Sequence, residues 1–156
     1  IGHLQSNKAK AVAQHFHWLH SLDSLALARK LAAGLTSNKT LSVLIEVNIA
    51  HDPRKHGVPP AALPALIEEL LAANLPALRL RGLMAIGPQD ADEATLRRSF
   101  AQVRELAVES QRRFGLREFD QLSMGMSGDF VPAILEGATY VRIGTALFGR
   151  RAPLPT

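Results

Sequence analysis

The residues whose types and spacing suit chemistry are concentrated between Leu122 and Gly149. The stretch reads Leu122-Ser123-Met124-Gly125-Met126-Ser127-Gly128-Asp129, then a short helical segment, then Val141-Arg142-Ile143-Gly144-Thr145-Ala146-Leu147-Phe148-Gly149. Two short apolar strands each end in glycine and hydroxyl residues. Ser127 is expected to open one helix, and Gly144 and Thr145 follow the other strand directly. Backbone N–H groups at a helix start, bare glycines and nearby hydroxyls make a cradle for a phosphate group. Arg142 closes its strand beside that cradle. Ser-Gly and Gly-Thr after strands also arise from ordinary cap and turn chemistry. Two such turns in tandem, with an arginine between them, favour a site for a phosphorylated small molecule.

Other strand ends add candidates. His3, Ser21, Asn48 and Met84 each close an apolar run. A packed imidazole is the plain reading of His3, a satisfied loop carbonyl that of Asn48, and core filling that of Met84 and Met126. His15, His17, His20, His51 and His56 raise the question of a metal. They form no His-Glu-x-x-His, and His17 and His20 stand at odd spacing on one strand and so face opposite ways. No metal site is assigned. Glu46 interrupts the most apolar strand; pointing into a barrel centre it needs a cationic partner, and Arg81 on the next strand is the candidate. Gly125-Met126-Ser127-Gly128 lacks the spacing of a Gly-x-Ser-x-Gly nucleophile elbow.

The elements that must position these residues alternate along the chain. Ile1-Gly2-His3-Leu4 reads as the end of a strand that starts earlier, so the chain is expected to be N-terminally truncated. Ser6-Asn7 is expected to cap a helix to about His15. Strands follow at 16–21 and 41–49, the second buried on both faces. Asp23 or Ser24 caps a helix closed by Gly34. Pro59-Pro60 begins a helix over 61–73. A strand at 80–86 leads to the longest helix, over 92–114, with Leu96, Phe100, Val103, Leu106 and Ala107 at helical spacing. Strands at 121–124 and 139–143 flank a helix from Ser127 to Glu136. Six alternations argue a parallel sheet with crossover helices. The segment lengths suit barrel units, and an eight-stranded barrel of roughly 250 residues would have two units more. A doubly wound open sheet is the alternative. No Gly-x-Gly-x-x-Gly supports a dinucleotide fold.

The 156 residues suffice for one domain with a real core, and 47% hydrophobic against 21% charged is a globular composition. No run approaches a membrane span of about 18 apolar residues. Cysteine is absent, which fits a cytoplasmic protein. The net charge is +4. Arg97-Arg98, Arg112-Arg113 and Arg150-Arg151 are isolated pairs without interleaved aromatics, so a solvated helix face is favoured over a nucleic-acid platform.

Taken in order, Ile1-Gly2-His3-Leu4-Gln5-Ser6-Asn7-Lys8, His20-Ser21-Leu22-Asp23, Leu44-Ile45-Glu46-Val47-Asn48, Lys55-His56-Gly57, Arg81-Gly82-Leu83-Met84, the Ser-Met-Gly-Met-Ser stretch with Asp129, and Val141 to Gly149 carry a resemblance over essentially the whole chain. The sequence resembles the pyridoxal-phosphate homeostasis protein family, which is itself similar to the barrel domain of bacterial alanine racemase. The resemblance implies a TIM-barrel-like (β/α) domain over 1–150 that lacks its first two βα units, and a tail at 151–156. It implies pyridoxal 5′-phosphate as cofactor, its phosphate held by Ser127, Gly144 and Thr145 and its ring nitrogen met by Arg142. Met84 and Asn48 would line the ring pocket. It implies a cytoplasmic, non-catalytic carrier or regulator of the cofactor, with pyridoxal-phosphate-dependent apoenzymes as possible recipients and neither nucleic acid nor membrane as partner. A pyridoxal-phosphate-dependent amino-acid racemase is the alternative. Family members hold the cofactor on a lysine of the first barrel strand, upstream of Ile1. Lys8, Lys10, Lys30, Lys39 and Lys55 all stand in polar contexts, and none takes that role.

Overall fold

The apolar run after residue 40 forms an inner strand of a parallel sheet in the computed structural model, which describes residues 1–149. The tail expected at 151–156 lies outside the described residues. Five strands, β1 (Trp18–Leu22), β2 (Leu41–Val47), β3 (Leu78–Ala85), β4 (Gln121–Met126) and β5 (Tyr140–Arg142), pair in the order β1-β2-β3-β4-β5. Every pairing is parallel. A doubly wound sheet would reverse its strand order part-way; here each strand pairs with the next in sequence.

The sheet is rolled. In a flat sheet β1 and β5, its two edges, would lie roughly 19 Å apart. Yet the Trp18 and His20 rings of β1 stand 5.6 and 5.3 Å from the Tyr140 ring of β5. The architecture is therefore part of a (β/α) barrel.

Helices cover the convex face: α1 (Ala9–His15), α2 (Leu25–Gly34), α3 (Leu63–Ala72), α4 (Glu93–Phe114) and α5 (Phe130–Leu135), while the short α6 (Thr145–Phe148) buries no residue. Alternation assigns the strand side chains. Leu41, Val43, Ile45 and Val47 of β2, and Leu83 and Ala85 of β3, join Leu31, Ile67, Phe100 and Val103 of the helices in one core. Leu44, Glu46 and Met84 are buried but stand outside that cluster, on the concave face. Burying each large side chain contributes roughly 1.5–3 kcal/mol.

Two helix starts agree with the sequence reading and others differ. Ser24, of the two residues expected, caps α2, its hydroxyl accepting from Leu27 N at 3.4 Å. Asp92 caps α4 through Thr95 N. Ser6 caps nothing; it opens a 3₁₀ turn, Ser6–Lys8, and its hydroxyl accepts from Lys30 Nζ. Residues 1–4 are not a strand: Gly2 takes φ +87°, which breaks extended pairing. Gly34 lies inside α2 rather than beyond it. A Cβ there would come within 2.9 Å of Lys10 Cα, so the glycine lets α1 and α2 approach.

A bulge aims one site residue. The β2–β3 register shifts between Val43 and Leu44, so that Val43 faces Leu80 and Leu44 faces Gly82. Arg81 is the extra residue, and Gly82 takes φ +145°. Before the bulge Leu78 and Leu80 pack toward the helices; after it Leu83 and Ala85 do. The change of parity turns Met84 to the concave face. Two arginines of α4 brace α5: Arg97 donates to Glu136 Oε1 at 2.7 Å and Arg104 to Oε2 at 2.6 Å. These bonds hold the Glu136 carboxyl below its ordinary range. Arg113 pairs with Glu68 of α3. One arginine of each pair on α4, Arg97 and Arg113, thus binds a carboxylate of its own fold.

Candidate functional site

The C-terminal ends of β4 and β5 open into a cleft of about 590 Å³ lined by Ile1, Met126, Ser127, Gly128, Val141, Arg142, Ile143, Gly144 and Thr145. Barrel ligands bind at this end of the strands, where the βα loops converge. Of the six site residues read from sequence, Ser127, Arg142, Gly144 and Thr145 meet in this one cleft.

Ser127 does not open a helix. Residues 127–129 form a turn that Asp129 closes, its Oδ1 accepting from Met126 N at 2.5 Å, and α5 starts only at Phe130. The turn carries Ser127 toward the next loop instead. Its hydroxyl oxygen accepts from Gly144 N at 3.3 Å and Ala146 N at 3.2 Å. Two backbone donors from one βα loop thus converge on an oxygen supplied by the preceding loop. A Cβ added at Gly128 or Gly144 would meet no protein atom. The backbone is therefore open to a close-lying anion.

Arg142 ends β5 and is half-buried. Its Nη1 donates to Ser123 Oγ at 2.9 Å and its Nη2 to Ala85 O at 3.0 Å. A guanidinium carries five N–H donors, so donors remain for the cleft. Burial lowers its pKa, while Asp129 and Glu46 act the other way. Met84 is 1% exposed and pairs in register with Glu46 on one side and Ser123 on the other, beneath the cleft rather than in its wall.

Asn48 is spent on its own loop. Its Nδ2 donates to Asp52 O at 2.8 Å and Lys55 O at 3.3 Å, and its Oδ1 accepts from Asp52 N. Ser21 is fully buried, with no partner for its hydroxyl. Glu46 is 4% exposed and its Oε2 has no hydrogen-bond partner. Arg81 is not its counter-charge: it donates to Glu118 O, lies 3.6 Å from Asp120 and covers the Trp18 ring. The bulge leaves it toward the lower end of the strand. Burial first, then Asp23, raises the Glu46 pKa, against the pull of His56, His3 and Arg142.

His3, Asp23 and His56 bring ligand-type atoms within 4.8 Å of one another at the ends of β1 and β2. The two imidazoles are stacked, centroids 3.8 Å apart and planes 11° from parallel. An ion bound by a histidine lies near its ring plane, and two parallel planes this far apart share no such point. As arranged, the trio is a stacked pair with a carboxylate beside it. His20 received no role from sequence beyond the metal question. In the fold its Nδ1 lies 2.9 Å from Ser123 Oγ, 103 residues away. The available signal was its place two residues from Trp18, on the same face of β1.

The alanine racemase N-terminal domain family model matches residues 1–152, and the chain belongs to that family. It is similar to the pyridoxal phosphate homeostasis protein of Pseudomonas aeruginosa, with 48% identity over 155 residues that cover 97% of this chain. The chain spans 63% of that relative's length. Its fold matches the solved structure of PipY from Synechococcus elongatus with PLP bound, at a TM-score of 0.85 and 38% identity, covering 96% of this chain and 68% of that one. An alanine racemase of Clostridium difficile shares the fold alone: TM-score 0.71, 15% identity, 98% of this chain and 39% of that one.

Proposed function

We propose that this chain is the cofactor-binding part of a pyridoxal 5′-phosphate homeostasis protein, a non-catalytic carrier that buffers the cofactor in the cytoplasm and releases it to pyridoxal-phosphate-dependent apoenzymes. The observation that carries the reading is the convergence of Gly144 N and Ala146 N on one oxygen position, beside Arg142, in a family whose relatives are named for this cofactor. The residues fit the group: bare glycines and two backbone donors suit a phosphate, and Arg142 suits an aromatic nitrogen. When bound, the cofactor supplies an aldehyde that condenses with amines and a ring that withdraws electrons.

Each residue then has a task. Ser127, Gly144 and Thr145 hold the phosphate. Arg142 donates to the ring nitrogen and, having no lone pair to accept an N–H in return, keeps that nitrogen unprotonated. An unprotonated ring is the weaker electron sink, which suits storage better than catalysis. Met84 supports the floor. Asn48 acts indirectly, by fixing the loop after β2.

A racemase needs a second base on the far face of the cofactor. Tyr140, the one tyrosine of the sequence, is packed between Trp18 and His20 on the concave face. Equilibrium dialysis of this chain against pyridoxal phosphate and pyridoxal tests the reading. The phosphate contacts should favour the phosphorylated form at least about tenfold, and inorganic phosphate should compete. Equal binding of the two forms would remove the cradle from the argument. Binding by this chain alone should be weak and should resist trapping by borohydride; strong trapping would show a covalent lysine here.

A further inference from the structure

Beneath Arg142 runs a half-buried polar chain to which the cofactor reading gives no task. His20 Nδ1, Ser123 Oγ and Arg142 Nη1 follow one another at 2.9 and 2.9 Å, linking β1, β4 and β5. The proton positions follow from chemistry. A guanidinium only donates, so Arg142 points an N–H at Ser123 Oγ. The Ser123 oxygen has two lone pairs, but His20 Nδ1 is the one acceptor within reach of its proton among the described residues, so the proton points at His20 and Nδ1 offers a lone pair. His20 is therefore neutral and carries its proton on Nε2.

The surroundings enforce this state. Burial first, with the Arg142 guanidinium among the charges beside it, lowers the His20 pKa. Trp18 and Tyr140 meet the ring edgewise, at 6.1 and 5.3 Å between centroids. Arg81 lies on the far side of Trp18. Ser123 is fully buried, so without His20 its proton has no acceptor of comparable quality and the hydroxyl is free to turn. Arg142 would then keep one firm tether, the Ala85 carbonyl.

We propose that His20 is a positioning residue for the cleft: acting through Ser123, it fixes the Arg142 guanidinium so that its remaining N–H groups meet the ring nitrogen of the cofactor. The proposal rests on the pyridoxal-phosphate reading above, and its test separates the two. The full-length protein that contains this chain is used, with His20→Leu, His20→Asn and, as a surface control, His17→Ala.

Two ligands are titrated: pyridoxal phosphate, and its 1-deaza analogue, in which carbon replaces the ring nitrogen. His20→Leu should weaken pyridoxal phosphate about tenfold, the worth of one hydrogen bond to a charged group, and leave the deaza analogue unchanged. His20→Asn, whose side-chain carbonyl can accept from Ser123, should restore most of the loss. Equal weakening of both ligands, or of neither, overturns the proposal, because a merely structural role does not distinguish the ring atom. Should His20→Leu not fold, Ser123→Ala is read against the same two ligands with the same expectation. Independently of any ligand, ¹⁵N NMR of the histidine rings should show His20 neutral and protonated on Nε2 from pH 5 to 8. Titration near 6.5 overturns the relay. Failure of the unsubstituted protein to bind pyridoxal phosphate defeats the function reading, and the NMR result still decides the relay.

Discussion

At the scale of single residues, Ser127 shows how one hydroxyl serves two purposes. With nothing in the cleft it satisfies Gly144 N and Ala146 N, which would otherwise lack acceptors. On the function proposed above, a phosphate oxygen beside the hydroxyl would take over those donors and gain the hydroxyl as a further one. Ser127→Ala should therefore weaken pyridoxal phosphate about tenfold while leaving pyridoxal unchanged, as measured by equilibrium titration. Equal losses on both ligands would place Ser127 elsewhere. Arg142→Glu in the full-length protein tests the ring contact. A carboxylate favours a protonated ring nitrogen, so the bound cofactor should react faster with added amino acids, followed by absorbance; an unchanged rate with binding retained would mean that Arg142 does not face the nitrogen. That Ser127, Arg142, Gly144 and Thr145 meet in one cleft was legible in the sequence because consecutive strand ends deliver them together. The His20–Ser123 contact was not, since only the closing of the sheet brings residues of β1 and β4 within reach. Asn48 shows the converse: its position at a strand end suggested a ligand contact, and its three hydrogen bonds go to its own loop.

At the scale of elements, the alternation of strand and helix was legible because burial on both faces leaves a nearly continuous apolar run, as in β2. The bulge at Gly82 was not legible, although it decides that Met84 faces inward. A Cβ at Gly82 would stand 1.9 Å from Gln121 O, and φ there is +145°. Gly82→Ala should cost about 3 kcal/mol or more in denaturant unfolding; a cost under about 1 kcal/mol would mean that the bulge relaxes freely. Glu46 gives β2 a pH signature. Its pKa is raised in the fold, so its ionisation costs nothing below the ordinary glutamate range near 4.5, where both states are protonated. Stability is lost as pH rises from there through the folded value. Glu46→Gln should therefore raise unfolding free energy at pH 7–8 and leave it nearly unchanged at pH 4; a loss at pH 7–8 would reveal a counter-charge that Glu46 needs. His20 acts with the opposite slope. Its pKa is lowered to about 4, so its share of stability is complete above the ordinary value near 6.5 and declines as pH falls toward 4. The start of α5 was misplaced from sequence because Ser-Gly-Asp suits both a cap and a turn. Asp129 decides for the turn by bonding Met126 N, a choice that rests on how the loop meets Gly144.

At the scale of the whole molecule, the partial barrel has two sheet edges, β1 and β5, and they differ. β1 is bordered by α1 and α2, and its Leu19 and Leu22 are buried. β5 has only three residues, and around it Val131, Ile134, Leu135, Val141, Leu147 and Phe148 are exposed, Phe148 at 85% and Leu147 at 71%. A strand edge beside contiguous apolar side chains is a template for association. The same corner of the fold carries Arg142, Gly144 and Thr145, so whatever covers it also bears on the cleft. The parallel order of the five strands was legible in the alternation, but not the rolling of the sheet, which follows from Trp18, His20 and Tyr140 packing across the concave face. Studied alone, this chain should therefore associate with rising concentration, seen in sedimentation velocity. Leu147→Lys with Phe148→Lys should shift it toward monomer without lowering thermal stability, because neither side chain belongs to the buried core. Association unaffected by the double substitution, yet abolished by a proline placed in β5 at Val141, would assign it to the strand edge rather than to the apolar surface. The two mechanisms differ in their response to salt. Apolar contact strengthens with sulfate, whereas backbone pairing at the edge should change little, so a sulfate series read beside the two variants identifies which feature drives the assembly.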